Sequence, residues 1–370
     1  MNLSIENIKH HFGPVHFHYN ADITDSITGI FGFSGSGKTT LMNIIGGIEN
    51  PGSGRLSFNE RILFDREKKI NLPEIKRKIG IVFQDNYLFP HLNVRQNLLY
   101  SKPYVKDRKQ VITFNTVVEL LDIEPLLNKK PLQLSGGERQ RVAIGRTLLS
   151  QPELLLMDEP FSNLDRNRRK QIISYLLKIN NRFGIPLLII SHDLEDILKL
   201  TRSFLIINNG KVLAAGNYLE IADSGTAPDI ISHKRYINIL ELYHTSYRED
   251  ENLNLFSAKK DSPKPLLRTN SNWFSNKQFQ GKKVRLCIYP DDIALNGEPI
   301  ENTSIQNQLK GIVSKIRYKD NSCFVTVDCG VDLVAEVTDS SIKKMKIEVG
   351  SSIYCLIKAK AIEVIHIFKD

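Results

Sequence analysis

The sequence is poor in cysteine and in long apolar runs. Only four of its 370 residues are cysteines, all lie in the last quarter, and none forms a CxxC pair. These are too few for a disulfide scaffold and lack the paired spacing of a zinc site, so we expect free thiols in a reducing cytosol. No apolar run approaches the roughly 20 residues that cross a bilayer, which excludes a membrane-spanning protein. The first residues, MNLSIENIKHHFG, lack a basic segment followed by an apolar one, so we expect no secretory signal.

The chain also lacks a concentrated basic segment, although its net charge is +9. Residues 1–225 hold 29 Lys and Arg against 23 Asp and Glu, and residues 226–370 hold 21 against 18. A nucleic-acid-binding protein concentrates positive charge on a stripe or a tail. The longest basic run, Arg166–Lys170, falls on a predicted helix and is interpreted as a solvated face. We therefore expect no nucleic-acid partner, whereas a spread basic surface is compatible with anionic lipid head groups.

The remaining composition is typical of a globular protein, and the length predicts two or three domains. In residues 1–222, short apolar runs alternate with helical patterns. The predicted strands are Ser26–Phe31, Ile79–Gln84, Leu154–Met157 and Leu187–Ile190, and the predicted helices are Gly37–Ile48, Gln110–Leu121, Gly136–Leu149, Arg166–Asn181 and Asp193–Leu200. This alternation predicts an α/β domain whose parallel strands are covered by helices. Asn209-Gly210, between two further apolar runs, predicts a β-hairpin.

Composition changes near residue 225. Residues 226–283, rich in Asn, Ser, Lys and Asp, are interpreted as linker and lead-in. From residue 284 only strand patterns remain: Val284–Tyr289, Leu309–Tyr318, Phe324–Asp328, Val331–Val337, Ile353–Lys358 and Glu363–Ile367. Short strands at this spacing predict a small all-β, OB-like barrel. The predicted domains are therefore residues 1–225 and residues 284–370.

The strongest chemical signal is the segment Gly32–Thr39, GFSGSGKT, which fits the phosphate-binding pattern G-x-x-x-x-G-K-[ST]. Its glycines let backbone N–H groups turn toward phosphates, and the following helix presents its positive N-terminus to the same anion. Lys38 would reach the β- and γ-phosphates, and the Thr39 hydroxyl would ligate Mg²⁺. The candidate nucleotide-binding residues of this loop are Gly32, Ser34, Gly35, Ser36, Gly37, Lys38, Thr39 and Thr40.

The second signal is the segment Leu154–Pro160, LLLMDEP, an apolar strand with two carboxylates at its end. Ligands of open α/β sheets bind at the carboxyl ends of the strands. Asp158 is the candidate for holding Mg²⁺ through its water shell, and Glu159 is the candidate general base.

The third signal is LSGGERQR, from Leu134 to Arg141, which resembles the signature of ABC-type ATPases. Ser135, Gly136 and Gly137 open a predicted helix and would offer a second set of phosphate-binding N–H groups. A single site has no use for two such sets, but a head-to-tail homodimer has, because each signature would close on the ATP of the other chain. A capping box accounts for Ser135 and Glu138 without accounting for the two glycines.

The resemblance implies a P-loop ABC nucleotide-binding domain with a mixed sheet and a helical subdomain, and it implies roles for further residues. Gln84 resembles the glutamine that contacts the metal and senses the membrane partner. Asp165 resembles the aspartate of the loop that crosses the dimer interface, although FSNLD departs from the smaller pair expected before Leu-Asp. His192 resembles the switch histidine near the γ-phosphate. Phe12 is the candidate for stacking on adenine, with Phe17 and Tyr19 as neighbouring alternatives.

The segments Ile79–Asn97, Glu124–Leu127 and Arg141–Leu148 resemble the ATPase subunits of bacterial importers, in particular molybdate importers. This implies integral membrane permease partners, with the stretch from Asp85 to Val94 against a coupling helix. It also implies an indirect partner, a periplasmic or extracellular substrate-binding protein, and a peripheral location at the cytoplasmic face of the membrane.

The C-terminal segment Thr303–Gly311 resembles the opening of the molybdate- and tungstate-binding Mop module. The stretch from Val334 to Ile365 resembles its second half, with good matches at Ser340-Ser341 and Leu356–Ala359. Carried over by position, Ser304, Asn307 and Lys358 become candidate oxyanion ligands. The alternative is a barrel that dimerises and binds no anion.

The expected function is ATP hydrolysis that energises import of molybdate, with tungstate open because its size and charge are nearly equal. One alternative keeps the ATPase and changes the cargo to sulfate, sugar, polyamine or iron. A second is an oxyanion-binding or storage module with an incidental ATPase, against which the intact Glu159 and His192 argue. A third, a soluble ATPase acting on DNA or ribosomes, is disfavoured by the spread charge.

Overall fold

The computed structural model describes residues 1–105, 111–224, 237–260, 262, 265–270, 279–319 and 322–368. The chain divides into two compact units, Met1–His233 and Lys234–Asp370. Within the described ranges, no helix combines the length and the apolarity that crossing a bilayer requires.

The first unit is built on an 11-stranded mixed sheet. Its strands are β1 (Leu3–Phe12), β2 (Val15–Ile23), β3 (Ile27–Phe31), β4 (Ser53–Phe58), β5 (Arg61–Asp65), β6 (Ile70–Asn71), β7 (Ile79–Val82), β8 (Leu154–Asp158), β9 (Leu187–Ile190), β10 (Ser203–Asn208) and β11 (Lys211–Asn217). The spatial order is β6-β5-β4-β1-β2-β11-β10-β3-β9-β8-β7. Strands β10, β3, β9, β8 and β7 are parallel. The functional loops leave the carboxyl ends of this parallel part.

Eight helices accompany this sheet in the described residues. They are α1 (Lys38–Gly46), α2 (Glu74–Arg77), α3 (Val94–Leu99), α4 (Phe114–Leu121), α5 (Gly136–Leu148), α6 (Arg166–Phe183), α7 (Leu194–Leu200) and α8 (Tyr218–Ser224). Side-chain caps fix several starts: Thr113 begins α4, and Asp165 begins α6. The first predicted residue of the α4 helix, Gln110, lies outside the described residues. The α/β class predicted from the alternation is confirmed.

Strand β1 was not predicted, because it breaks the two-residue alternation of a regular strand. Strand β2 was not predicted either, although its buried residues alternate regularly from Phe17 to Ile23. A bulge separates Ile5 from Ile8, and Asn7 within it has a φ of 47°. Both isoleucines are buried although they are three residues apart. A bulge shifts one residue out of register and hides the strand period from the sequence.

The apolar core of the first unit holds a buried arginine. Arg77 is 0% exposed, and its guanidinium donates to the carbonyls of Ile44 and Ile45 at 2.7 and 3.0 Å. It also donates to the Leu72 carbonyl and to Oδ1 of Asn71. Since Ile45 belongs to the last turn of α1, the arginine satisfies a carbonyl that a helix end leaves free, whereas the Ile44 carbonyl also accepts from the Gly47 N–H at 3.2 Å.

The second unit is all-β apart from short helices, as predicted. One sheet has the order β14-β13-β12-β15-β21, and the other has the order β16-β20-β17-β18-β19. The strands are β12 (Asn238–Arg248), β13 (Leu253–Ser257), β14 (Leu267–Thr269), β15 (Lys283–Ile288), β16 (Ile293–Asn296), β17 (Asn307–Lys319), β18 (Ser322–Asp328), β19 (Asp332–Thr338), β20 (Ser352–Ile357) and β21 (Glu363–Ile367), with helix α9 (Asp339–Met345) after β19.

Three of these strands correct the interpretation of residues 226–283 as linker. Strand β12 pairs with β13 and β15, and its buried residues Leu240, Leu242 and His244 alternate with more exposed ones. The abundance of polar residues in the segment concealed this alternation. The described part of residues 226–283 therefore contributes strands to the second unit.

Candidate active site

The phosphate-binding loop joins the end of β3 to the start of α1. Gly35 and Gly37 have φ values of 75° and 103°, in the left-handed region that favours glycine. A Cβ on Gly32 would lie 2.0 Å from the carbonyl oxygen of Ile207, and one on Gly37 would lie 2.6 Å from the Tyr19 hydroxyl. That hydroxyl donates a 2.8 Å hydrogen bond to the Gly37 carbonyl. The path of this loop therefore requires glycine.

The Lys38 side chain is largely buried and folds over this loop. Its Nζ donates to the carbonyls of Gly32 and Phe33 at 3.0 and 2.8 Å. Burial lowers the pKa of Lys38, and the carboxylates of Glu159 and Asp158 oppose that shift. The sheet thus brings an ammonium group from α1 near two acids from the end of β8.

Thr39 and Asp158 are in direct contact. The Thr39 hydroxyl donates to Oδ2 of Asp158 at 3.1 Å. Burial raises the pKa of Asp158, against the effects of the Thr39 hydrogen bond and the Lys38 charge. Ser36, in the loop, is 4% exposed, and its Oγ has no hydrogen-bond partner among the described residues. A hydroxyl and a carboxylate side by side are oxygen ligands of the kind Mg²⁺ binds, and the buried Ser36 hydroxyl is a further polar group at the same loop.

Glu159 and His192 also meet. Oε2 of Glu159 lies 2.7 Å from Nδ1 of His192. The two residues follow the neighbouring strands β8 and β9, and the Glu159 N–H donates to the Ile190 carbonyl at 3.0 Å. Glu159 has a φ of 48°, a strained backbone for a non-glycine residue. Burial raises the pKa of Glu159, and His192 opposes that shift.

The signature segment begins α5. Oγ of Ser135 accepts from the Glu138 N–H at 3.4 Å, and Oε2 of Glu138 accepts from the Ser135 N–H at 2.6 Å, which is a capping box. A Cβ on Gly136 would meet no atom within 4 Å, and one on Gly137 would lie 3.3 Å from the Arg168 side chain. Packing within the described chain therefore gives no reason for a glycine at position 136. Among the hydrogen bonds and ion pairs of the described residues, none joins Ser135–Gly137 to the phosphate loop.

The structure also describes three further predicted site residues, Asp165, Gln84 and Phe12. Asp165 caps α6, because its Oδ1 accepts from the Arg168 N–H at 3.0 Å. Gln84 is exposed just after β7. Phe12 is 72% exposed, whereas Phe17 and Tyr19 are buried in the core. Of the three aromatic candidates for adenine stacking, the two alternatives are thus occupied in packing, and Phe12 stays a prediction.

The loop that follows Gln84 is anchored from α5 and α3. Arg146 donates to the carbonyls of Tyr87 and Asn86 at 2.7 and 3.1 Å, and its guanidinium lies 5.3 Å from the centre of the Phe89 ring. The Asn97 side chain bonds the N–H and the carbonyl of Phe89. A cavity of about 410 Å³ lies beside this loop. Arg146 and Asn97 were not predicted from sequence, because their contacts with this loop depend on how α5 and α3 pack beside it.

The three oxyanion candidates of the second unit differ in availability. Ser304 and Lys358 are exposed. Asn307 is 3% exposed, and its amide accepts from the Arg268 N–H and donates to the carbonyls of Arg268 and Ile357. Every polar atom of this side chain is engaged by backbone, so anion binding by Asn307 would compete with these bonds. All three residues stay predictions.

The chain is similar in sequence to known proteins along nearly its whole length. Residues 20–162 match the family model of the ABC transporter, and residues 303–364 match that of the TOBE domain. The molybdenum import ATP-binding protein ModC of Pasteurella multocida is 34% identical over 96% of this chain and 99% of its own length. The same-named protein of Mannheimia succiniciproducens is 36% identical over 96% and 98%.

Solved structures match the first unit. A nucleotide-free ATP-binding cassette from an ABC transporter gives a TM-score of 0.53 at 25% identity, covering 62% of this chain and 98% of that one. CbiO1 of Clostridium perfringens, part of the ABC transporter complex cbiONQ, gives 0.51 at 27% identity, covering 61% and 92%. These likenesses agree with the P-loop architecture of the first unit.

Proposed function

The chain belongs to the family of molybdenum import ATP-binding proteins, which are ABC transporter ATPases, and we propose that it hydrolyses ATP to energise molybdate import through a membrane permease. The observation that carries the proposal is the contact of Glu159 with His192 beside the phosphate loop. A storage module would have no need of this pair.

Each group of site residues has a separate role in the proposed hydrolysis. Backbone N–H groups of the loop and Lys38 bind the phosphates and neutralise charge that develops during transfer. Glu159 accepts the proton of the attacking water, and its buried position makes it a stronger base than a solvated carboxylate. The Nδ1–H of His192 donates to Glu159 and fixes its orientation.

Thr39 and Asp158 would hold Mg²⁺, with Gln84 as a third predicted ligand. The ion would neutralise phosphate charge when bound. The Thr39–Asp158 hydrogen bond keeps the two ligand groups together in the structure described here.

The site is completed by a second copy of the chain. Ser135, Gly136 and Gly137 present N–H groups at the start of α5, and an open Cβ position at Gly136 leaves room for a phosphate to approach. Asp165 begins the helix after the loop assigned to the dimer interface. The proposed assembly is therefore a head-to-tail homodimer.

The anchored loop after Gln84 is the proposed permease contact. Tyr87 of this loop is exposed. Arg146 of α5 donates to the Tyr87 carbonyl, and its guanidinium lies over the Phe89 ring. A force on the loop is therefore transmitted to α5, which carries the signature. In this proposal the protein acts as a peripheral subunit at the cytoplasmic face of the membrane, together with a substrate-binding protein on the outside.

Two measurements test the proposal. Cells lacking this chain should lose uptake of radioactive molybdate and regain it with the unsubstituted chain but not with Glu159→Gln, whereas sulfate uptake should not change. Restoration by Glu159→Gln, or loss of sulfate uptake instead, would contradict the proposal.

The second measurement is calorimetry of the full chain against molybdate, tungstate and sulfate. If the second unit binds the cargo anion, molybdate or tungstate gives heat, sulfate gives none, and Lys358→Ala or Ser304→Ala removes it. Absence of heat with all three anions would reduce this unit to a dimerisation domain.

A further inference from the structure

The loop that carries Glu159 and the loop that carries His192 are joined a second time, away from the contact of those two side chains. Arg169, in the second turn of α6, makes this link. Its Nε donates to the Leu164 carbonyl at 3.0 Å. Its Nη1 donates to Oδ2 of Asp193 at 3.0 Å and to Oδ2 of Asp196 at 2.9 Å.

Two of these acceptors, Leu164 and Asp193, are each tied to one of the two catalytic loops. Leu164 is buried and ends the segment that starts at Glu159, within which the Ser162 N–H donates to the Glu159 carbonyl at 3.1 Å. Asp193 directly follows His192 and caps α7, accepting from the Glu195 N–H at 3.0 Å. Its own N–H donates to Oγ of Ser191 at 3.0 Å.

The two loops are therefore held together at both of their ends. On one side the parallel ladder of β8 and β9 pairs Asp158 with Ile190. On the other side Arg169 holds the far ends of both loops. The Glu159–His192 contact lies between these two fixed sides. The Asp196 side chain is 6% exposed. The guanidinium therefore has a buried anionic partner, unlike the arginine of an ion pair exposed to solvent.

We propose that Arg169 is a positioning residue that sets the distance between Glu159 and His192 and so controls the rate of the hydrolytic step. The inference rests on the proposed ATPase function. Arg169 contacts neither catalytic side chain, and it acts through Leu164 and Asp193. A lysine side chain ends in a single nitrogen, so it cannot donate to the same three acceptors in the fixed geometry of the planar, forked guanidinium.

The test uses the full chain and two substitutions. Arg169→Gln removes the fork, and the double variant Arg169→Gln with Asp196→Asn also removes the buried charge that the single change would leave unpaired. Thermal melting identifies which variants are folded. We expect kcat for ATP to fall about tenfold to 100-fold in both, with KM for ATP changed less than about twofold, because a misplaced base slows chemistry without weakening binding. Arg169→Lys should not restore kcat.

Arg182→Ala, an arginine replaced near the other end of the same helix, is the matched control and should keep the kcat of the unsubstituted protein. A folded Arg169→Gln variant with unchanged kcat would overturn the inference, as would a crystal structure of it with the Glu159–His192 distance still at 2.7 Å. If the unsubstituted protein hydrolyses no ATP, the proposed function fails, and the inference fails with it.

Discussion

Oε2 of Glu159 lies 2.7 Å from Nδ1 of His192, although the two residues are 33 positions apart in the chain. The contact exists because β8 and β9 are neighbours, Glu159 directly follows β8, and His192 is the second residue after β9. It joins a buried carboxylate to a largely exposed imidazole.

The first prediction concerns Glu159 as the base. Glu159→Gln keeps the shape of the side chain and removes its ability to take a proton, so steady-state ATP hydrolysis should fall about 10²- to 10⁴-fold while ATP binding is retained. Phosphate release and nucleotide binding measure the two effects. Glu60→Gln, at an exposed turn, is the control and should leave the rate unchanged. Equal rates for Glu159→Gln and the control would refute the assignment.

The second prediction concerns pH. Burial raises the pKa of Glu159, so kcat should fall with acid at a pH above that of an ordinary glutamate. Since His192 lowers the pKa of Glu159, His192→Gln should move this acid limb to higher pH. Profiles of kcat from about pH 5 to about pH 9 measure the shift. Movement of the limb to lower pH would contradict the proposed pairing.

The third prediction concerns the dimer. Gly136→Ala should leave the free energy of unfolding unchanged or raise it by up to about 1 kcal/mol, because alanine favours helix and the Cβ meets nothing within 4 Å. The same methyl group should obstruct a nucleotide held by a partner chain. ATP-dependent dimerisation, measured by light scattering with Glu159→Gln as the background, should therefore weaken. Unaltered dimerisation would remove the signature from the interface.

The fourth prediction concerns Asp196, whose pKa burial and the neighbouring Asp193 raise to about 6. The folded protein then holds this proton more tightly than the unfolded chain, so the free energy of unfolding falls as pH rises from about 4 to about 6. Asp196→Asn should lose this decline, which amounts to at most about 3 kcal/mol. Thermal melts of both proteins at several pH values measure it. Parallel pH curves would show that Asp196 titrates normally.

The fifth prediction concerns Arg77. Arg77→Ala leaves the buried Ile45 carbonyl without its guanidinium donor and removes the bonds to the Ile44 and Leu72 carbonyls, and it should cost about 3–5 kcal/mol of unfolding free energy. Urea unfolding measures the loss. Lys76→Ala, at the exposed neighbouring position, should change stability by less than about 0.5 kcal/mol. A similar small change for Arg77→Ala would show that water replaces the guanidinium.

Prediction from sequence succeeded where a local pattern is enough. The parallel strands β8 and β9 are continuous apolar runs, and the second-unit strand β21 was predicted with its observed bounds, Glu363–Ile367. It failed where irregular backbone or polar composition hides the period, as in the bulged β1 and in β12. Asn307 shows what a motif position leaves out: its amide also bonds the backbone of its own unit, a role that only the structure reveals.

The chemistry of the first unit is encoded in local sequence, because phosphate binding needs glycines, a lysine and a hydroxyl at fixed spacing. Local sequence also indicates that Glu159 and His192 follow buried strands. The adjacency of these strands, the contact of the two side chains and the link that Arg169 makes between their loops depend on the fold. Contacts between segments distant in the chain depend on strand order and helix placement, and no local spacing encodes them.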